Sequence, residues 1–300
     1  MELRERCCPI CGAESSTVHR ESRFDPARID RFSFASRKSP ELMHFRLLLC
    51  TECDLIYASP APSLDWFESG YEGADFDADR ESVLAARTYA RCLDRFIDTL
   101  PSREGALDIG AGDGAFLREL DRRGFLQVVG VEPSVTPFQR AAADIRDSLR
   151  NEFFDAARFE PASLSLVSCF QTLEHLEDPA GLCRDAHRLL APGGLFFAVV
   201  HDHRALSARV LGDRSPIYDI EHLQLFSRQA LRGLLGGAGF ESVEIGSLTN
   251  AYPLSYWLRL LPIGRRARRF SGSTLRWLGL DRAVVPLRAG NLYCIGMKTT

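Results

Sequence analysis

From position 105 onward, apolar residues recur in a rhythm that switches between a period of two and a period near 3.6. Runs at 105–109 (GALDI), 127–131 (QVVGV), 164–169 (LSLVSC) and 195–200 (LFFAVV) read as strands, with a weaker one near 145–149. Their near-continuous apolar character predicts burial on both faces, as in a parallel sheet covered by helices. Helical spacing separates them at 114–123, 135–143 and 179–190. Gly124 falls where a helix should end, and Pro192-Gly193-Gly194 breaks the chain before the next strand. A helix at 227–237, a strand at 242–248 and a closing strand at 291–297 bring the strands to about seven. The expected fold is α/β, a Rossmann-like, mostly parallel seven-stranded sheet with helices on both faces.

Upstream the pattern changes. Leu84, Ala85, Tyr89, Leu93, Phe96 and Ile97 predict a helix from 81 to about 100, stopped by Pro101. Residues 63–80, with Trp66 and Tyr71, suit a connecting arm that closes a cleft or packs two units together. Residues 1–62 are polar, rich in arginine and bracketed by cysteine pairs, which predicts a small separate domain. The main domain is then 81–300, with a helical insertion at about 250–285.

Composition narrows the options only slightly. The 300 residues carry a net charge of −3, so no global field attracts nucleic acid. No signal-peptide pattern opens the chain and no apolar run reaches membrane-spanning length, so a cytoplasmic location is expected. In a reducing compartment, nine cysteines argue for metal ligation where spacing permits. Cys8-x-x-Cys11 and Cys50-x-x-Cys53 form two knuckles suited to a tetrahedral four-sulfur zinc site, and four protein donors would make the zinc structural. Cys7 is an alternative to Cys8, His19 or His44 could intrude, and Asp54 stands where a turn-forming glycine is expected. Cys92, Cys169, Cys183 and Cys294 read as small buried hydrophobes.

The segment "ALDIGAGDGAFL" joins a strand to a helix through Gly110, Gly112 and Gly114. Such a loop aims backbone N–H groups at a ligand and lets it approach the backbone closely. Glu132 ends the next strand, where a carboxylate can accept from both hydroxyls of a ribose, so a nucleoside is expected. Glycines alone also fit a dinucleotide. Asp108 and Asp113 would repel a pyrophosphate but suit the ammonium and sulfonium of S-adenosylmethionine.

Taken in order, "LDIGAGDG", "VVGVEPS", "SLVSCFQTLEHLEDP", "LLAPGGLFFAVV" and "EHLQLFSRQALRGLLGGAGF" resemble the class I S-adenosylmethionine-dependent methyltransferases over roughly residues 80–250. The resemblance implies that Asp108, Gly110, Gly112 and Gly114 border the amino-acid part of the cofactor and that Glu132 holds the ribose. It further implies Phe154-Asp155 beside the adenine and Gln171 near the methionine end. The cysteine segment, with "LLLCTECDLIYASPAP", is similar to zinc-ribbon segments attached to bacterial methyltransferases of surface-polysaccharide and natural-product pathways.

Transfer to a hydroxyl needs an aligned nucleophile and a base. Titratable groups cluster beyond the expected strand ends at Glu174-His175, His201-Asp202-His203 and Glu221-His222. Glu221-His222 is the preferred pair; His201 and His175 follow, and alternation allows only one of His201 and His203 to face the cleft. "IYDIEHLQLFS" also resembles the tyrosine and Glu-His segment of sugar C-methyltransferases, although their long C-terminal domain has no counterpart here. The expectation is methyl transfer to a small-molecule acceptor, a sugar, glycolipid or natural-product intermediate, mainly by O-methylation and not to nucleic acid. The alternatives are sugar C-methylation, a NAD-dependent oxidoreductase and an inactive interaction protein. Residues 252–270, aromatic and leucine-rich and then arginine-rich, suit a cleft lid or peripheral contact with a membrane surface. Oligomeric state is not readable from the chain.

Overall fold

In the computed structural model, which describes residues 2–29, 33–34, 40–63, 65–67, 70 and 79–299, seven strands form one mixed sheet. They are β6 (Glu104–Ile109), β7 (Leu126–Val131), β8 (Leu149–Arg150), β9 (Leu164–Phe170), β10 (Leu190–His201), β12 (Ser242–Pro253) and β13 (Val284–Met297). Their order across the sheet is β12-β13-β10-β9-β6-β7-β8. The pairs from β8 to β10 are parallel, and β13 runs antiparallel to both neighbours. The strand order reverses between β6 and β9, so the crevice at their carboxyl ends is where such a sheet binds its ligand.

Alternation along the strands sorts two cores. Val167, Phe196, Ala198 and Val200 pack with α4 (Pro179–Leu189) and α6 (Arg228–Gly237) on one face. Leu166, Phe197 and Val199 pack on the other with α1 (Asp79–Leu93) and α2 (Ala115–Asp121). Each fully buried phenylalanine is worth about 1.5–3 kcal/mol relative to exposure. Asp178 caps α4, accepting from Gly181 N at 2.7 Å with Pro179 at the first helical position, and Ser227 caps α6 by accepting from Ala230 N.

Several boundaries differ from expectation. The helix expected to reach 100 ends at Leu93, where bonds from Arg95 N to Cys92 O and from Phe96 N to Leu93 O tighten the chain. A separate short turn follows at Ile97–Thr99. The weak strand expected at 145–149 is instead a 3-10 turn at Arg146–Ser148 followed by β8, because Ile145 is buried by packing against Gly114 and not by strand alternation. Helix α3 (Val135–Arg140) is shorter than expected, and Pro192-Gly193-Gly194 appears as a register shift inside β10 rather than as its start. β12 and β13 remain paired to Pro253↔Val284, carrying α7 (Leu254–Leu260) and α8 (Arg265–Trp277) between them.

The N-terminal segment contributes β1 (Leu3–Arg4), β2 (Ser16–Arg20), β3 (Leu47–Cys50), β4 (Ile56–Ala58) and β5 (Ala61–Pro62). Its main sheet, β2-β3-β4, is completed by β11 (Gln224–Leu225), two residues past His222. The segment expected to stand apart is therefore joined strand to strand with the larger unit. Trp66 packs among Phe24, Phe34, Phe45 and Phe67, which ties the segments together; Tyr71 lies outside the described residues.

Candidate active site

A cavity of about 1650 Å³ opens at the carboxyl ends of β6, β9 and β10. It brings together Asp108, Gly110, Gly112, Glu132, Gln171, His175, His201, Glu221 and His222. At Gly110 (φ 75°) a Cβ would sit 2.3 Å from Thr172 Oγ1, so only glycine fits there. At Gly112 (φ 57°) a Cβ would meet nothing within 4 Å, and the backbone faces open space.

Glu132 is buried and holds the loop: Gly112 N donates to its Oε2 and Ser134 N to its Oε1, both at 2.8 Å. Burial pushes its carboxyl up from the ordinary glutamate value. Asp108 accepts from Ser168 Oγ at 2.6 Å, and burial pushes it up to about 7. Asp113 accepts from Ser82 Oγ at 2.6 Å, which ties α1 to the loop.

Two residues expected beside the cofactor lie off the cavity lining. Gly114 does not border the cavity; its left-handed backbone starts α2, and a Cβ there would strike Ile145 at 2.6 Å. Asp155 is exposed and caps a 3-10 turn by accepting from Ala157 N at 2.9 Å, whereas Phe153 and Phe154 line the cavity beside it.

Three histidines meet in the cavity wall, with the His222 ring centroid 5.1 Å from His175 and 4.9 Å from His201. His222 Nδ1 donates to Ile217 O at 2.8 Å, which fixes its tautomer and leaves the neutral ring's lone pair on Nε2. His201 Nδ1 donates to Asn291 Oδ1 at 3.0 Å. Burial, then the nearby His222, pushes His201 down to about 3, so it stays uncharged. His203 turns the other way and donates through Nε2 to Asp54 O at 2.9 Å, so of the two alternating histidines His201 faces the cleft. Tyr218 also leaves the cavity: its hydroxyl meets His19 at 3.0 Å and Arg20 at 3.2 Å. Asp219, Thr172 and Asn291 line the cavity unforeseen; Thr172 stands two residues past the end of β9, Asn291 lies within β13 opposite His201, and Asp219 lies in the loop before β11.

Glu174 stands behind this wall. Its Oε1 accepts from His201 N at 2.7 Å, and its backbone oxygen accepts from Leu223 N and Gln224 N. It is fully buried, and burial pushes its carboxyl up to about 8. Between pH about 4.5 and 8 the folded protein holds a proton that the unfolded chain has released, so stability falls as pH rises through that window. The cost is about 1.4 kcal/mol per pH unit for such a group. Thermal melts of Glu174→Gln should therefore lose part of the decline in melting temperature between pH 5 and 8 that the parent protein shows; parallel declines would mean that Glu174 is ionised throughout.

The Sγ atoms of Cys8, Cys11, Cys50 and Cys53 lie within 4.8 Å of one another, with Cys8 and Cys53 at 3.4 Å and Cys11 and Cys50 at 3.6 Å. Zn–S bonds of about 2.3 Å in a tetrahedron require S···S separations of about 3.8 Å, so the donor set and its spacing fit zinc. Hydrogen bonding from Cys53 pulls the Cys8 thiol below its ordinary value. Cys7 is exposed and outside the cluster, and His19 and His44 lie against Tyr218. Asp54 adopts the left-handed backbone (φ 63°) that a glycine would have taken, and its carboxylate binds Arg204.

A methyltransferase-domain family model matches residues 77–245, and the chain belongs to that family. It is 33% identical over 100 residues to a ubiquinone biosynthesis O-methyltransferase of Neisseria meningitidis, covering 30% of this chain and 41% of the relative. It is 32% identical over 125 residues to the 27-O-demethylrifamycin SV methyltransferase of Amycolatopsis mediterranei, covering 39% and 46%. The matches thus span less than half the length of these relatives. A Bacillus halodurans protein assigned as a methyltransferase shares the fold, with a TM-score of 0.50 and 18% identity over 70% of this chain and 99% of its own.

Proposed function

We propose that the protein transfers a methyl group from S-adenosylmethionine to a hydroxyl of a small-molecule acceptor, with a structural zinc ion in the N-terminal segment. One observation carries the reading: the glycine loop, Asp108 and Glu132 open onto the same cavity as His222. Buried carboxylates beside an open stretch of backbone at Gly112 suit a ligand with a ribose and positive charge. Asp108 would face the ammonium, Glu132 the ribose and Gln171 the methionine end. When bound, the cofactor supplies an electrophilic methyl on a sulfonium.

His222 Nε2 would take the proton of the acceptor hydroxyl as that oxygen accepts the methyl group from the sulfonium, which leaves as the neutral thioether. Ile217 O holds the ring in the required tautomer, and His201, kept neutral by burial, sets no positive charge beside the imidazolium that forms. Glu221 and His175 complete the wall on which the acceptor rests. The names of the two curated relatives favour oxygen as the attacked atom. The sugar C-methyltransferase reading loses its tyrosine, since Tyr218 is engaged by His19 and Arg20. Family membership and the acidic pocket speak against a NAD enzyme, and the complete loop against an inactive module. Cys8, Cys11, Cys50 and Cys53 would supply all four donors to a zinc ion, which would leave it a structural role.

The test is S-adenosylhomocysteine calorimetry followed by turnover on a hydroxylated acceptor. His222→Ala should lower kcat by about 10²- to 10⁴-fold with unchanged affinity for S-adenosylhomocysteine. Undiminished turnover would remove His222 as the base.

A further inference from the structure

The hairpin of β12 and β13 projects past the sheet and carries α7 and α8 over the mouth of the cavity, which Leu254, Leu258 and Leu261 line from inside. Its outer side is unusual for a protein surface. Arg266, Phe270, Ser273 and Trp277 follow at spacings of four, three and four along α8, so they share one stripe, and all are exposed. Phe270 is 76% exposed and Trp277 84%, with Leu278 and Leu280 exposed just beyond the helix. Phe270 and Trp277, two turns apart on one stripe, with Leu278 and Leu280 exposed beyond them, leave apolar surface in water that calls for a partner.

Charge identifies the partner. Residues 254–288 contain eight arginines against one aspartate, a balance of +7, while the whole chain carries −3. An arginine-rich helix with Arg266, Phe270, Arg276 and Trp277 exposed matches the composition of segments that lie in the interface of an anionic bilayer. Among the described residues no helix is long and apolar enough to cross a membrane, so contact would be peripheral.

We propose that the α8 tip docks on an anionic lipid surface and that the acceptor enters from it. Phe270 links the two features, because it is exposed on the stripe and also lines the cavity. The acceptor class then follows, resting on the methyl-transfer reading above: an amphiphile whose hydroxylated end reaches His222 and whose apolar portion lies along the leucines of α7.

Sedimentation of the full chain with vesicles tests the surface. Vesicles of phosphatidylcholine mixed with phosphatidylglycerol should carry down most of the protein, and phosphatidylcholine alone little. Trp277→Ala combined with Leu280→Ala should weaken binding at least about tenfold, and Arg266→Glu combined with Arg276→Glu by a similar factor that vanishes in high salt. S-adenosylhomocysteine affinity, read on the same preparations, should stay at the parent value. Absence of vesicle binding by a protein that binds S-adenosylhomocysteine overturns the docking surface alone. Failure to bind S-adenosylhomocysteine while vesicles still bind overturns the methyl-donor reading and leaves the surface standing. If the charge reversals abolish binding to a short RNA while Trp277 and Leu280 prove irrelevant to vesicles, the arginines serve nucleic acid and the proposal fails.

Discussion

Glu132→Ala should raise the dissociation constant for S-adenosylhomocysteine by about 100-fold or more. A carboxylate that accepts two ribose hydroxyls contributes about 1.5–3 kcal/mol per charged hydrogen bond, and both bonds go with the side chain. A second loss compounds the first. Glu132 is also the acceptor for Gly112 N and Ser134 N, so the alanine leaves two amides of the loop without their partner and lets the loop relax. Glu132→Gln separates the effects, because its one oxygen can keep a single amide while its NH₂ faces the other. Its affinity should fall between those of the parent and the alanine variant. Calorimetry reads the affinity, and circular dichroism checks that the fold survives. An alanine variant that binds as tightly as the parent would remove Glu132 from the ribose and leave it as a loop clamp.

The strand-helix alternation was legible because a doubly covered sheet demands long apolar runs, as in Leu195–Val200, and the glycine loop because its backbone has few substitutes. What escaped was decided by packing between distant segments. Ile145 is apolar in a strand-like context, yet it is buried by meeting Gly114, which also explains why Gly114 serves packing and not the cavity. Asp155 is expected beside the adenine, and one of its oxygens accepts from a local partner two residues away, Ala157 N, a cap that no periodicity announces. His201 and His203 differ by one strand alternation, which sequence alone leaves unassigned; Asp54, 149 positions earlier, takes His203 and leaves His201 to the cleft. No periodicity in the chain announces that β11 will extend the sheet of residues 16–58.

That extension gives the cysteine cluster a reach beyond its own knuckles, and Cys50→Ser should expose it. Zinc in a four-sulfur site stabilises by about 10 kcal/mol or more, in addition to the burial that joins residues 1–62 to the larger unit. The variant should drop from one zinc per chain to none by metal analysis, melt earlier and become sensitive to protease within residues 1–62. The consequences should travel along defined bonds. The knuckle Cys50–Asp54 holds His203 and Arg204 through Asp54, and Glu52 O accepts from Gln229 Nε2 at 3.0 Å. β4 pairs with β11, and Ala58 N donates to Leu223 O at 2.7 Å, one residue past His222. Loosening these contacts frees the turn that aims His222 while leaving Gly112 and Glu132, at the far side of the crevice, intact. Turnover should therefore fall about tenfold or more with S-adenosylhomocysteine affinity within about twofold of the parent, a split that global unfolding would not produce. Cys7→Ser is the internal control: its thiol is exposed and outside the cluster, so metal content, melting and turnover should all match the parent. A Cys50→Ser protein that kept its zinc and its melting temperature would contradict the four-sulfur site.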